Sequence, residues 1–158
     1  MDYELEVCGL TPAFLAAYPE ATYPEIERKP ARPYSCLLLE CYEDFFVCIP
    51  FRSHINHPHA YMFKNSRRAA RTQSGLDYTK VSLIKNPDFF LVNGAIVDQD
   101  EFKEAAINML RITQEVTDYI DKYRYHIDGS SPLHPREFQR RYQYSTLSYF
   151  HDIMSLEV

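Results

Sequence analysis

Glycine is scarce and tryptophan absent: 158 residues hold four Gly and no Trp. So few glycines leave no Gly-rich loop to cradle phosphates, which argues against an ATPase or a dinucleotide enzyme. There is no G-x-S-x-G turn to present a nucleophilic serine, so an α/β-hydrolase is not expected. The four cysteines (Cys8, Cys36, Cys41 and Cys48) show no C-x-x-C spacing, and three of them fall in apolar, strand-like segments. They read as small buried hydrophobes of a reducing compartment. No run is long and apolar enough to span a membrane. The opening "MDYELEVCGL" is acidic and lacks a basic n-region, so a signal peptide is not expected and the cytoplasm is the expected location. The chain also lacks repeats, low-complexity tracts and any linker long enough to divide it, which points to one domain over 1–158. A net charge of -5 argues against a nonspecific nucleic-acid binder.

That negative total hides an uneven distribution. Residues 1–27 hold six acids and no Lys or Arg; residues 28–71 hold eight bases and three acids; residues 72–158 hold nine bases and thirteen acids. A basic middle between acidic ends points to a local anion site, with a solvated Arg-rich loop as the plainer alternative. Hydrophobic residues reach 46%, enough for a core, and the ten prolines gather mostly in the first 60 residues.

Local patterns define the expected elements. "LTPAFLAAYPE" reads as a short helix capped by Thr11, opened by Pro12 and ended by Pro19. "TYPEIERKPARP" is expected to be extended, because residues before proline avoid helical geometry. "YSCLLLECY" and "FFVCIPF" read as a hairpin around Glu43-Asp44, the first strand buried on both faces. Residues 52–75 read as a long polar connection with a short strand at "YMFK", and "YTKVSLI" as an alternating strand. Asn93-Gly94 between apolar runs signals a tight hairpin. From Asp100, Phe102, Ala106, Met109, Ile112 or Thr113, Val116, Ile120 and Tyr123 mark one amphipathic helix of about six or seven turns. "PREFQRRYQ" and "STLSYFHDIM" close the chain as short helices. Strands first and helices after give an α+β fold, a small, strongly curved sheet or half-barrel with helices packed on it.

The chemistry concentrates in "IPFRSHINHPHAYMFKNSRR". His54, His57 and His59 form H-x-x-H-x-H, but no Cys lies in the segment, and the nearest acids in sequence are Asp44 and Asp77. A metal site is therefore not expected, and neither is a cofactor. Ser53 beside His54 invites a Ser–His hydrolase reading, without the surrounding pattern to support it. Phosphodiester cleavage without metal fits better. An RNA 2′-OH can attack its own phosphate if the enzyme removes that proton, protonates the 5′-oxygen and stabilises the phosphorane. Arg52, Ser53, His54, His57, Lys64, Asn65 and Ser66 supply forked cations, hydroxyls and neutral-range imidazoles within one segment. Tyr61 and Phe63 are candidates to stack bases.

Four stretches in order, "YPEIERKPARPYSCLLLE", "IPFRSHINH", "YMFKNSRR" with "GLDYTKVSLI", and "RRYQYSTLSYFHD", resemble the toxins of type III toxin–antitoxin systems, the ToxN, AbiQ, CptN and TenpN group, most of all the TenpN branch. The resemblance covers most of the chain, and "IPFRS" and "GLDYTK" are its most specific parts. It implies an SH3-like, Kid/MazF-like barrel decorated by helices. It implies a metal-independent endoribonuclease leaving a 2′,3′-cyclic phosphate, active in growth control or phage defence. The implied partners are cellular RNA and a repetitive pseudoknot RNA antitoxin, closed with the toxin into cyclic assemblies. Ser53 matches the family's catalytic Ser. Arg52 stands where ToxN-type members carry Thr, and Arg32 matches a family Lys at the groove. Ile55 departs from a family Lys, which leaves Arg52, His57 or Lys64 to take over as the main cation.

On this reading Arg32 and Arg52 hold the scissile phosphate, Ser53 donates to a nonbridging oxygen, and His54 or His57 is the acid/base. Arg28, Lys29, Lys64, Asn65, Ser66, Arg67, Arg68, Arg71 and Lys80 grip flanking RNA. The rival readings are a noncatalytic RNA-binding module of related barrel fold and, further off, an adaptor whose basic loop docks an acidic partner.

Overall fold

The computed structural model describes residues 6–28, 34–92 and 96–156. Among the described residues, one mixed α+β layer arrangement forms around an open antiparallel sheet of seven strands: β1 (Glu6–Leu10), β2 (Tyr34–Leu39), β3 (Phe46–Arg52), β4 (Ala60–Met62), β5 (Gly75–Asp77), β6 (Ser82–Ile84) and β7 (Phe90–Val92). The order is β4-β5-β3-β2-β1-β7, with β6 also on β3. Five α-helices join it: α1 (Pro12–Ala17), α2 (Arg67–Thr72), α3 (Gln99–Ile107), α4 (Met109–Ile127) and α5 (Pro135–Tyr142).

The β2–β3 hairpin is the middle of the sheet, with Leu37 opposite Ile49 and Leu38 opposite Cys48. Cys36, Leu37, Leu38 and Leu39 are all buried, so β2 is covered on both faces as its unbroken apolar run implies. On its other side β3 changes partners. Phe46–Cys48 pair with β6 and Phe51–Arg52 pair with β5. Pro50, which has no N–H to give a ladder, falls in the gap between these two pairings. Cys8, Cys36 and Cys48 are fully buried, and the Cys8 and Cys48 sulfurs lie 3.8 Å apart.

β5 crosses so close to β4 that glycine is required at its start: a Cβ on Gly75 would stand 2.4 Å from the Tyr61 carbonyl oxygen. The same contact fixes the level at which Asp77 enters the site.

Thr11 caps α1 by accepting from the Phe14 amide at 3.4 Å, and Pro12 fills the first turn. Of the segment expected to be extended, residues 22–26 instead run through turns and a bend, and 29–33 lie outside the described residues. Turns pin the Thr22 and Tyr23 amides to the Pro19 carbonyl. The connection from 52 to 75 contains the expected short strand, as β4, one residue earlier than "YMFK", and in addition the helix α2, which was not expected. "YTKVSLI" is not one strand but a 3₁₀ turn, Tyr78–Lys80, followed by β6. Asp77 causes this by accepting from the Thr79 amide at 2.9 Å, which tightens the backbone.

Two further expectations fail. β7 pairs with β1, Leu91 opposite Gly9, and residues 96–98 form no strand, so no return arm follows the Asn93-Gly94 turn, which itself lies outside the described residues. The long helix is two helices. The Asn108 side chain donates to the Glu104 carbonyl at 2.9 Å and ends α3 before α4 begins. α4 buries Met109, Ile112, Val116, Tyr119, Ile120 and Tyr123, but α3 turns inward Glu101, Glu104 and Ala105, and Ala106 is exposed. No helix among the described residues is long and apolar enough to cross a membrane.

Candidate functional site

Asp77 ends β5 with its side chain fully buried and both carboxylate oxygens engaged. Its Oδ1 accepts from the Thr79 amide at 2.9 Å and the Thr79 hydroxyl at 2.6 Å, and lies 3.1 Å from His57 Nε2. Its Oδ2 accepts from the Arg52 guanidinium. Burial pushes this carboxyl up. Hydrogen bonds from His57 and Thr79, with the charges of His57 and Arg52, outweigh that and hold it below the usual carboxylate range. A carboxylate so occupied is an anchor, not a base.

Arg52 and His57 are drawn into this anchor. Arg52 Nε also lies 3.3 Å from Glu27, so its guanidinium is engaged by two carboxylates. His57 Nδ1 accepts from the His59 amide at 3.1 Å while Nε2 faces Asp77. Arg52, the expected phosphate clamp, and His57, an expected acid/base, thus both contact a buried carboxylate in this structure.

Ser53 and His54, one step along the chain, are placed differently. Ser53 is half-buried and His54 exposed, and among the described residues neither side chain has a hydrogen-bond partner. His54 has φ 59°, in the left-handed region, and its amide donates to the Thr72 carbonyl at 2.5 Å. Ile55 is buried, and its amide donates to the Gln73 carbonyl at 3.2 Å; Gln73, at φ 51°, is the C-cap of α2. Two left-handed non-glycine residues thus bind each other's segments. They hold the Ser53–His54 corner against the end of the helix that carries Arg67, Arg68 and Arg71.

That basic segment is clasped from below by α3. Glu104, buried, accepts from the Lys64 amide at 2.9 Å, the Asn65 amide at 3.0 Å and the Tyr61 hydroxyl at 2.7 Å. Glu101, fully buried, accepts from the Ser66 hydroxyl at 2.8 Å and the Ser74 hydroxyl at 2.7 Å, with Arg68 3.9 Å away. Ser66 also accepts from the Ala69 amide at 2.8 Å, which starts α2. Two carboxylates one helical turn apart therefore set both ends of the Lys64–Ser74 excursion.

The expected RNA contacts divide accordingly. Lys64, Asn65, Arg67 and Arg71 are exposed. Arg67, Arg68 and Arg71 ride on a capped helix, not on a loop, and Arg68 leans toward Glu101. Ser66 is buried in its capping role. Lys80 lies on the 3₁₀ turn, where its ammonium bridges Glu25 and the Tyr144 carbonyl, so it braces the fold. Arg28 donates to the Tyr18 carbonyl. Tyr61 and Phe63 are core residues; Phe63 stacks on Phe51 with centroids 5.9 Å apart, and neither ring faces solvent. Arg32 and Lys29 lie outside the described residues. Among the described residues no group of His, Cys, Asp and Glu is placed to hold a metal ion.

Sequence reasoning passed over Asp77, Glu101 and Glu104. The D-x-T step at Asp77–Thr79 was a usable signal, since Asx side chains commonly bond the amide two residues on. The i, i+3 spacing of Glu101 and Glu104 was another. Compared with known proteins, the chain matches no family model, no curated protein and no solved structure.

Proposed function

We propose that the chain is the toxin of a type III toxin–antitoxin system, a metal-independent endoribonuclease acting at the Ser53–His54 corner. The observation that carries this reading is the pair of backbone bonds from His54 and Ile55 to Thr72 and Gln73. They join an unpartnered hydroxyl and an exposed imidazole to a helix bearing exposed cations. Ser53 donates to a nonbridging oxygen of the scissile phosphate and His54 moves the proton, while Lys64, Arg67 and Arg71 hold the flanking backbone. On the same reading the curved sheet, whose β3 pairs with different strands at its two ends, is the SH3-like, Kid/MazF-like barrel. The inhibitor is then a tandem-repeat pseudoknot RNA that occupies this groove and closes with the toxin into a cyclic assembly, within the cytoplasm.

The test is direct. The purified chain, incubated with single-stranded RNA in EDTA, is expected to cleave it and leave 2′,3′-cyclic phosphate ends. Growth arrest on expression is expected to be relieved by repeat RNA encoded beside the gene. Cleavage lost in chelator and restored by a divalent metal overturns the mechanism.

The engagement of Arg52 and His57 by Asp77 favours a second reading, a noncatalytic RNA-binding module of the same architecture. It predicts RNA binding without new ends.

A further inference from the structure

We infer that the exposed face of α5, formed by Arg136, Gln139, Arg140 and Gln143, binds the phosphate backbone of single-stranded RNA outside the proposed cleavage site. This rests on the ribonuclease reading and adds a second surface to it.

The four residues fall at i, i+3, i+4 and i+7, so they share one stripe of the helix. All four are exposed. Glu137 is taken by Arg141 at 3.2 Å, and among the described residues neither Arg136 nor Arg140 makes an ion pair. In a chain of net charge -5, Arg136 and Arg140 repeat on α5 what Arg67 and Arg71 do on α2, two exposed guanidinia one turn apart that make no ion pair among the described residues. The helix dipole explains Arg140 and Arg141 in the last turn. It does not explain Arg136, which stands in the first turn, where a cation opposes the dipole.

The stripe borders two grooves. One, of about 470 Å³, is lined by Arg136, Gln139, Arg140 and Gln143. The other, of about 490 Å³, is lined by Glu137, Arg140, Arg141, Pro58 and His59, with Glu137 paired to Arg141 so that Arg140 is the cation left without an ion pair in it among the described residues. Arg140 belongs to both, so a strand passing over it meets each groove in turn. The second groove has His59 in its wall, and the His59 amide donates to His57, four residues along the chain from Ser53. Guanidinium and carboxamide groups together offer donors suited to phosphate oxygens. Tyr144, 63% exposed just past α5, offers a ring for a base to stack on. An acidic peptide would satisfy the arginines but leave that ring unused.

The experiment measures affinity for a fluorescent, 2′-O-methylated single-stranded RNA, which cannot be cleaved, between 50 and 200 mM salt. The full chain is compared with R136Q/R140Q and R136K/R140K, alongside cleavage of unmodified RNA and affinity for polyglutamate. Each lost phosphate contact lowers the salt slope by about 0.7. The Gln pair is expected to reduce it by about 1.4, so that over this fourfold range the wild type loses about 7-fold more affinity than the variant. The Lys pair is expected to keep most of the slope, which separates lost charge from lost fold. A wild type that cleaves RNA, with an unchanged slope in the Gln pair, overturns the inference and leaves the ribonuclease reading standing. An unchanged RNA slope with weakened polyglutamate binding reassigns the face to a protein partner and also overturns it. A wild type that neither binds nor cleaves RNA defeats both.

Discussion

Arg52 donates its guanidinium to the buried carboxylate of Asp77, 25 residues further along the chain, where β3 and β5 lie side by side. Removing that carboxylate strands Arg52, His57 and the Thr79 hydroxyl at once. Asp77→Ala is expected to destabilise the fold by about 2–4 kcal/mol, below the usual range for a fully buried pair because Arg52 reaches Glu27 and some solvent. Urea unfolding measures this; a loss under about 1 kcal/mol would contradict the anchoring role.

The same carboxylate makes stability depend on acid. Its folded pKa lies below the ordinary 3.8, so the folded state favours the ionised form. The contribution is fully present above the unfolded value and disappears as pH falls through the lower, folded one. Denaturant midpoints of the wild type are therefore expected to fall more steeply below about pH 4 than those of Asp77→Asn. Parallel curves for the two proteins would show that Asp77 carries none of the linkage.

His54 and His57 are expected to separate by substitution with Asn, which tolerates the left-handed backbone at His54. His54→Asn should keep its stability within about 0.5 kcal/mol and lose about 10²–10⁴ in cleavage rate. His57→Asn should lose stability, because it removes a contact to Asp77. Ser53→Ala is expected to cost about 10²–10³ in rate with an unchanged denaturation midpoint. The opposite ordering of the two histidines would return the acid/base role to His57.

Glu104 holds two successive backbone amides and a tyrosine hydroxyl, so Glu104→Ala leaves three donors to water or to nothing. A loss of about 2–3 kcal/mol is expected, with faster hydrogen exchange at Lys64 and Asn65. RNA affinity should fall with it, since Lys64 loses its platform. Unaltered exchange at those two amides would remove Glu104 from the clasp.

The parts of the fold that could be read from sequence are those set by neighbours in the chain. Thr11 and Pro12 start α1 within one turn, and the apolar run from Cys36 to Leu39 can only be a covered strand. What escaped depends on distant partners. A buried Glu101 looks like a surface acid until Ser66 and Ser74 arrive to bind it. Asn108 looks like any polar residue of a continuing helix until its side chain takes the Glu104 carbonyl. Asn93-Gly94 carried a strong local turn signal, yet the partner of β7 among the described residues is β1, about 80 residues earlier, which no local pattern announces. Around the candidate site the polar and cationic residues from Arg52 to Arg71 were visible in sequence, but not the buried carboxylates of Asp77, Glu101 and Glu104 that bind several of them.

The divided pairing of β3 has a consequence for motion. Its ladder is secured on one side by β2 and on the other by β6 and β5 in succession, so freeing its amides requires the sheet to come apart. The corner that follows is tied to the end of α2 by backbone bonds from His54 and Ile55, with the Ile55 side chain buried beneath it. Ser53 sits at that border, between a strand paired on both sides and a short tie to a neighbouring helix, so its hydroxyl is positioned from two directions at once.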